Sequence, residues 1–108
     1  MVADIQRYEI YLVKLNPTVG SEIQKTRPCI VVSPNEMNVL KTVIVAPMTS
    51  KGFDFIFRPK IKFDNKNGLV LLDQIRTVDQ KRLLKKMGSI PAAAIVKVKT
   101  ILREMLVD

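Results

Sequence analysis

At 108 residues, 47% hydrophobic and 26% charged, the chain is sized for one globular domain (1–108) with a modest core and little room for a deep pocket. A net charge of +8 favours polyanionic partners, because each phosphate neutralised releases a counterion. One cysteine and no histidine exclude an intrachain disulfide, a zinc cluster, the usual histidine acid/base pair and a Cys–His nucleophile, and a reducing cytoplasm fits.

In chain order, Tyr8 to Leu15 is rich in β-branched and aromatic residues and closed by Asn16-Pro17, which predicts a strand. The polar stretch Asn16 to Arg27 has no apolar periodicity and predicts a long loop, of a kind that often carries function. Pro28 to Val32 and Thr42 to Met48 predict two further strands joined through the loop at Pro34–Asn38. From Phe53 to Phe63 apolar and polar residues alternate, which predicts one strand with an apolar face and a basic face carrying Arg58, Lys60 and Lys62. Pro59 marks it as an edge or bulged strand. Asp64 to Gly68 is turn chemistry, with Asn67-Gly68 suited to positive φ, and Gly68 to Asp73 predicts a central strand, apolar on both faces.

Thr77-Val78-Asp79-Gln80 matches a capping box and predicts a short helix to about Lys86. Pro91 suits a first helical turn, and Ile95, Val98, Leu102, Met105 and Leu106 share one face of a C-terminal amphipathic helix. Consecutive strands and one substantial helix predict a mainly β fold: a small, strongly bent antiparallel barrel-like sheet with the helix packed on it. No leader segment or membrane-length apolar run is expected, so the predicted location is the cytoplasm, away from membranes.

Polar groups gather in three places beside strand ends: Glu22 and Arg27, then Thr49-Ser50-Lys51, and then Asp73 to Thr77. Taken singly, Glu22 reads as a solvated loop glutamate, Arg27 as a strand-flanking charge and Thr49-Ser50 as a turn. If strands pair as neighbours, the Thr49 end and the start of the second strand are expected at opposite strand ends unless bends intervene. Cys29 sits in the apolar run Cys29-Ile30-Val31-Val32 and is expected as a buried hydrophobe.

Read together, Asn16-Pro17-Thr18-Val19-Gly20-Ser21-Glu22, Arg27-Pro28-Cys29-Ile30-Val31-Val32-Ser33-Pro34, Pro47-Met48-Thr49-Ser50 and Gly68 to Thr77 (GLVLLDQIRT) occur in order along almost the whole chain. In this the chain resembles the MazF/PemK family of toxin ribonucleases. The resemblance implies an SH3-like barrel of the MazF/PemK/CcdB toxin type, a homodimer, cleavage of single-stranded RNA independent of ribosomes, and a cognate antitoxin whose acidic tail occupies the RNA groove. Without histidine, that cleavage is expected to use no metal or cofactor. Carried over by position, it implies catalytic roles for Arg27 and Thr49, with Glu22 as a loop glutamate some members need and Ser50 as an assistant. Lys51, Arg58, Lys60, Gln74, Arg76 and Thr77 are the candidates for RNA contact. Two departures stand out: Tyr8-Glu9 replaces a common Gly-Asp pair, and Leu71 with no loop histidine removes an acid/base pair used by a subgroup. Asp73 is therefore expected to be structural, accepting hydrogen bonds from backbone or Arg76. The run Lys81 to Lys86 suits a solvated helix face or RNA contact equally. A non-catalytic nucleic-acid-binding barrel and a CcdB-like gyrase-poisoning toxin are the alternative functions.

Overall fold

The β-branched runs form strands where the pattern places them: β1 (Glu9–Lys14), β2 (Thr26–Val31) and β3 (Thr42–Thr49). The computed structural model describes residues 4–107; residues 1–3 and 108 of the predicted domain lie outside that range. Antiparallel pairing sets Leu12 opposite Pro28 and Ile30 opposite Ala46, so β2 lies between β1 and β3. Along these strands successive side chains go to opposite faces, and both faces are covered. Ile10, Ile30, Ala46 and Met48 pack with Val98 of the C-terminal helix, whereas Tyr11, Val13, Cys29, Val31 and Val45 pack with Val78 and Leu83 on the other side.

The remaining strands are β4 (Lys60–Phe63), β5 (Lys66–Val70), β6 (Arg76–Asp79) and β7 (Leu83–Ser89), followed by helix α1 (Ala92–Leu106). The sheet runs β4-β5-β3-β2-β1-β7, and β6 also pairs with β3. One edge of β3 is thus divided: Thr42–Val45 take β6, and Met48–Thr49 take β5. A one-turn 3-10 segment, Leu72–Gln74, makes the step between those partners. The result is a half-barrel of antiparallel strands with one C-terminal helix, as predicted. Pro91 caps α1 in extended geometry, and Ala94 and Val98 are its buried residues. Leu106, predicted on that face, is exposed.

Three predicted elements differ. Thr77 to Lys86 is not an α-helix but parts of two strands joined by one 3-10 turn, Gln80–Arg82, which the Asp79 carboxylate caps at the Lys81 amide. Val78 is buried between exposed Thr77 and Asp79, the alternation of a strand, and pairs with Val43. Gln80 does not reach back to a helix start; its amide donates to the carbonyls of Asn38 and Leu40 at 3.0 and 2.7 Å. The cap starts only this one turn, because two long-range ladders, β6 on β3 and β7 on β1, take the residues on either side.

Phe53 to Phe63 is not one strand either. The Arg58 amide donates to the Phe55 carbonyl at 2.8 Å, turning the chain at Ile56-Phe57, and only Lys60–Phe63 joins the sheet. That short strand is an edge, as Pro59 requires. The β4–β5 turn falls at Asp64-Asn65, both at positive φ (54° and 60°), with Phe63 paired to Lys66. Two consecutive left-handed residues match the right-handed strand twist. The expected Asn67-Gly68 pair instead lies within β5.

Candidate functional site

The register of β2 and β3 is the origin of the site. Cys29 opposite Pro47 is the last pair of that ladder, and Arg27 and Thr49, two residues further along their strands, line the same cleft beyond it. The start of β2 and the end of β3 therefore meet at one end of the ladder, not at opposite ends. Antiparallel neighbours joined through the Pro34–Asn38 segment require this.

Both residues line an open cleft of about 230 Å³. Its floor is apolar, from Pro28, Met48, Phe63 and Met87, and its polar rim includes Arg27, Thr49, Ser50, Asp64 and Lys66. The β4–β5 hairpin forms the facing wall and packs tightly against its surroundings. A Cβ on Gly68 would stand 3.4 Å from the Thr49 carbonyl oxygen, and one on Gly88 would stand 3.3 Å from the Phe63 ring. Phe63, Asp64, Lys66 and Met87 escaped sequence reasoning. Their turn and strand signals were visible, but nothing local says that this hairpin faces Arg27.

Arg27 is half-buried, and its Nε donates to the Gln24 carbonyl at 3.2 Å. Its terminal amino groups have no hydrogen-bond partner among the described residues. Such a planar fork suits two phosphate oxygens. The Thr49 Oγ1 accepts from the Lys51 amide at 3.2 Å, which leaves its own proton available to a ligand. Ser50 and Lys51 are exposed beside it.

Glu22 is not among the residues of the cleft. Its carboxylate accepts from the Val19 amide at 2.6 Å and closes a turn inside the first loop. That loop is tied to the body at several points. Gln74 Oε1 accepts from the Ile23 amide at 2.8 Å, and Arg76 donates to the Leu15 carbonyl at 3.2 Å. Arg82 donates to the carbonyls of Lys14 and Asn16 at 3.2 and 2.7 Å. Gln74 and Arg76, predicted to contact RNA, are thus engaged as loop ties.

The basic face expected of Arg58, Lys60 and Lys62 is also broken up, because the chain turns before Pro59. Arg58 makes a two-pronged pair with Asp73, Nε at 3.0 Å and NH2 at 2.9 Å. The partner of Asp73 is thus Arg58 and not the expected Arg76. Those hydrogen bonds hold the Asp73 carboxyl below the ordinary carboxylate range despite partial burial. Lys60 lies 3.2 Å from Asp54 in an exposed pair of little energetic consequence. Lys51, Arg58, Lys60, Gln74, Arg76 and Thr77 all lie outside the cleft lining.

In the Lys81–Lys86 run, Lys86 pairs with buried Glu9, which also accepts from the Tyr11 hydroxyl at 3.1 Å and the Gln6 amide at 2.8 Å. Burial raises the Glu9 pKa, but the hydrogen bonds from Lys86, Gln6 and Tyr11 together leave it below its ordinary value. Cys29 is fully buried and its thiol is pushed up to about 12 by desolvation, so it holds no thiolate near neutral pH. Among the described residues no three His, Cys, Asp or Glu side chains are grouped to hold a metal ion.

Comparison with known proteins adds a family context. The profile of a family described as "PemK-like, MazF-like toxin of type II toxin-antitoxin system" matches residues 6–106. The chain is 40% identical over 85 residues to "Endoribonuclease PemK" of Escherichia coli, covering 73% of this chain and 64% of that one. To "Endoribonuclease MazF" of Staphylococcus epidermidis it is 35% identical over 103 residues, covering 87% and 84%. The crystal structure of MazF from Deinococcus radiodurans superposes with a TM-score of 0.85 at 23% identity, covering 97% of this chain and 98% of that one, a likeness of fold.

Proposed function

The chain belongs to the PemK-like, MazF-like toxin family of type II toxin–antitoxin systems, and from that premise we propose that it is a toxin endoribonuclease that cuts single-stranded RNA in the Arg27–Thr49 cleft. The single observation that carries the reading is the meeting of those two residues, distant in sequence, on the rim of one open, partly apolar cleft. The match to PemK spans 64% of that relative's length, and both named relatives are called endoribonucleases.

The chemistry suits a chain without histidine. The ribose 2′-oxygen attacks the adjacent phosphorus, the P–O5′ bond breaks, and a 2′,3′-cyclic phosphate and a 5′-hydroxyl are left. The step needs an acceptor for the 2′-hydroxyl proton and stabilisation of charge on the phosphorane, and the departing O5′ takes its proton from water. Arg27 supplies that stabilisation through its free amino groups, and Thr49 donates to a non-bridging oxygen, with Ser50 alongside. Arg27 is not the base, since a guanidinium stays protonated.

Two carboxylates compete as proton acceptor. Asp64 lines the cleft, whereas Glu22 lies outside its lining and holds the Val19 amide within the first loop. Cleavage by Glu22→Gln and Asp64→Asn, compared with the parent protein, decides between them.

Sequence-specific cleavage, independence of metal, action as a single-domain homodimer in the cytoplasm and neutralisation by an acidic antitoxin complete the proposal. The charge of +8 supports an acidic antitoxin segment as competitor for the RNA surface. No helix among the described residues is long and apolar enough to cross a membrane. The test is incubation of purified protein with a long RNA in EDTA, followed by mapping of the ends. Recurrent cuts with cyclic phosphate ends are expected. Intact RNA beside gyrase-dependent DNA breaks would overturn the reading in favour of a gyrase poison.

A further inference from the structure

Phenylalanine in a small domain ordinarily goes inside, and the alternation from Phe53 to Phe63 predicts a buried face. Yet Phe53 is 67% exposed, Phe55 46% and Ile56 68%. A contiguous apolar patch left in water marks a surface that meets something. Phe53, Phe55 and Phe57 stand edge to face in series, with centroids 6.2 and 5.6 Å apart. Phe57 is half-buried and anchors the series to the body.

We propose that the Phe53–Phe55 ridge is a stacking platform for unpaired RNA bases next to the phosphate held at Thr49. The inference rests on the reading of the chain as an RNA-cutting enzyme, and adds the surface that would grip the bases.

Three observations favour RNA as the occupant. First, the guanidinium of Arg58 lies 4.8 Å from the Phe53 ring centroid, and the pair with Asp73 holds it there. A pinned cation beside an exposed ring suits an aromatic ligand attached to an anionic backbone. Second, Phe55 and Ile56 line a shallow groove with Arg58, Lys60 and Lys97, where Asp54 is the only acidic lining residue. Third, Arg58, which lies over Phe53, also lies near the Thr49 strand end. A point at the Cβ position of Gly52 lies 3.9 Å from the Thr49 Cγ2 and 3.8 Å from the Arg58 NH1. A chain whose phosphate sits at Thr49 therefore has its neighbouring bases within reach of Phe53. Single-stranded RNA is recognised mainly by such stacking, because its bases are free to splay.

The test uses a set of short, unstructured oligoribonucleotides of mixed sequence, each carrying one 2-aminopurine, whose fluorescence is quenched on stacking. The whole protein should quench it, and Phe53→Ala and Phe55→Ala should bind roughly 5- to 150-fold more weakly, the range for loss of one base–aromatic stack. Phe53→Trp should retain quenching, and Phe53→Leu, apolar but without a ring, should lose it. In cleavage assays the alanine variants should raise KM far more than they lower kcat. Unchanged affinity in the double Phe53→Ala, Phe55→Ala protein, with circular dichroism unaltered, would overturn the platform. So would a change of oligomeric state in that protein, which would make the ridge a protein interface. Quenching by a protein that cuts no RNA would uphold the platform and sink the cleavage reading; normal cutting by the double variant would do the reverse.

Discussion

Arg58 grips both carboxylate oxygens of Asp73, fifteen residues away, and so fastens the segment after β3 to the 3-10 turn after β5. The side chains are 14% and 30% exposed, enough shielding for the pair to contribute to stability. Asp73 has a folded pKa below its unfolded value, chiefly through the Arg58 hydrogen bonds. Its contribution is therefore fully present above the unfolded carboxylate value of about 3.9 and is lost as pH falls through the folded value. Asp73→Asn should cost about 1 kcal/mol near neutral pH, or about 5 °C in Tm. The gap between variant and parent melts should close in strong acid. A gap equally wide at low pH would show that Asp73 acts otherwise than through its charge.

Arg27→Ala and Thr49→Ala should each lower single-turnover cleavage by about 100- to 1000-fold, the usual loss when a donor to developing charge is removed. Circular dichroism should not change, because neither side chain belongs to the buried core. Thr49→Ser keeps the hydroxyl and should restore most of the rate. Normal cutting by either alanine variant would place the chemistry elsewhere.

Gly68→Ala tests the positioning of Thr49 without touching its side chain. The new methyl would stand 3.4 Å from the Thr49 carbonyl oxygen, so that strand end must shift by a few tenths of an ångström. Cleavage should fall by about tenfold, as small misplacements of reacting groups do, while the thermal midpoint moves little. Parallel loss of stability and activity would point to a damaged fold instead.

Basic residues should differ in their salt signatures. Lys66 lines the cleft, so Lys66→Ala should flatten the log–log salt dependence of RNA binding by about 0.7, the value for one phosphate of a single strand. Lys86 is committed to Glu9, and Lys86→Ala should leave the slope unchanged while lowering stability. The reverse pattern would move the RNA path from the cleft to β7.

Where packing and local chemistry agree, the elements were legible in the sequence. The strands β1 to β3 carry β-branched residues covered on both faces, and α1 carries an apolar stripe behind Pro91. Where they compete, the sequence misled. Thr77-Val78-Asp79-Gln80 has the spacing of a helix start, but Val78 gains more from the sheet than the segment would gain from capping. Phe53 to Phe63 has the period of a strand, but a turn at Ile56-Phe57 leaves Phe53 and Phe55 in water.

By itself the sequence determined the mainly β class, the C-terminal helix, the basic character, the absence of histidine chemistry and the motifs that hold Arg27 and Thr49. Composition and short-range periodicity are properties of the chain alone. Only the tertiary structure decided that Arg27 and Thr49 line one cleft, that the β4–β5 hairpin shares it, that Glu22 turns to its own loop and that Arg58 belongs to Asp73. Those relationships depend on strand order and register, which are set by burying both faces of β1–β3 at once. No local stretch of residues carries that information.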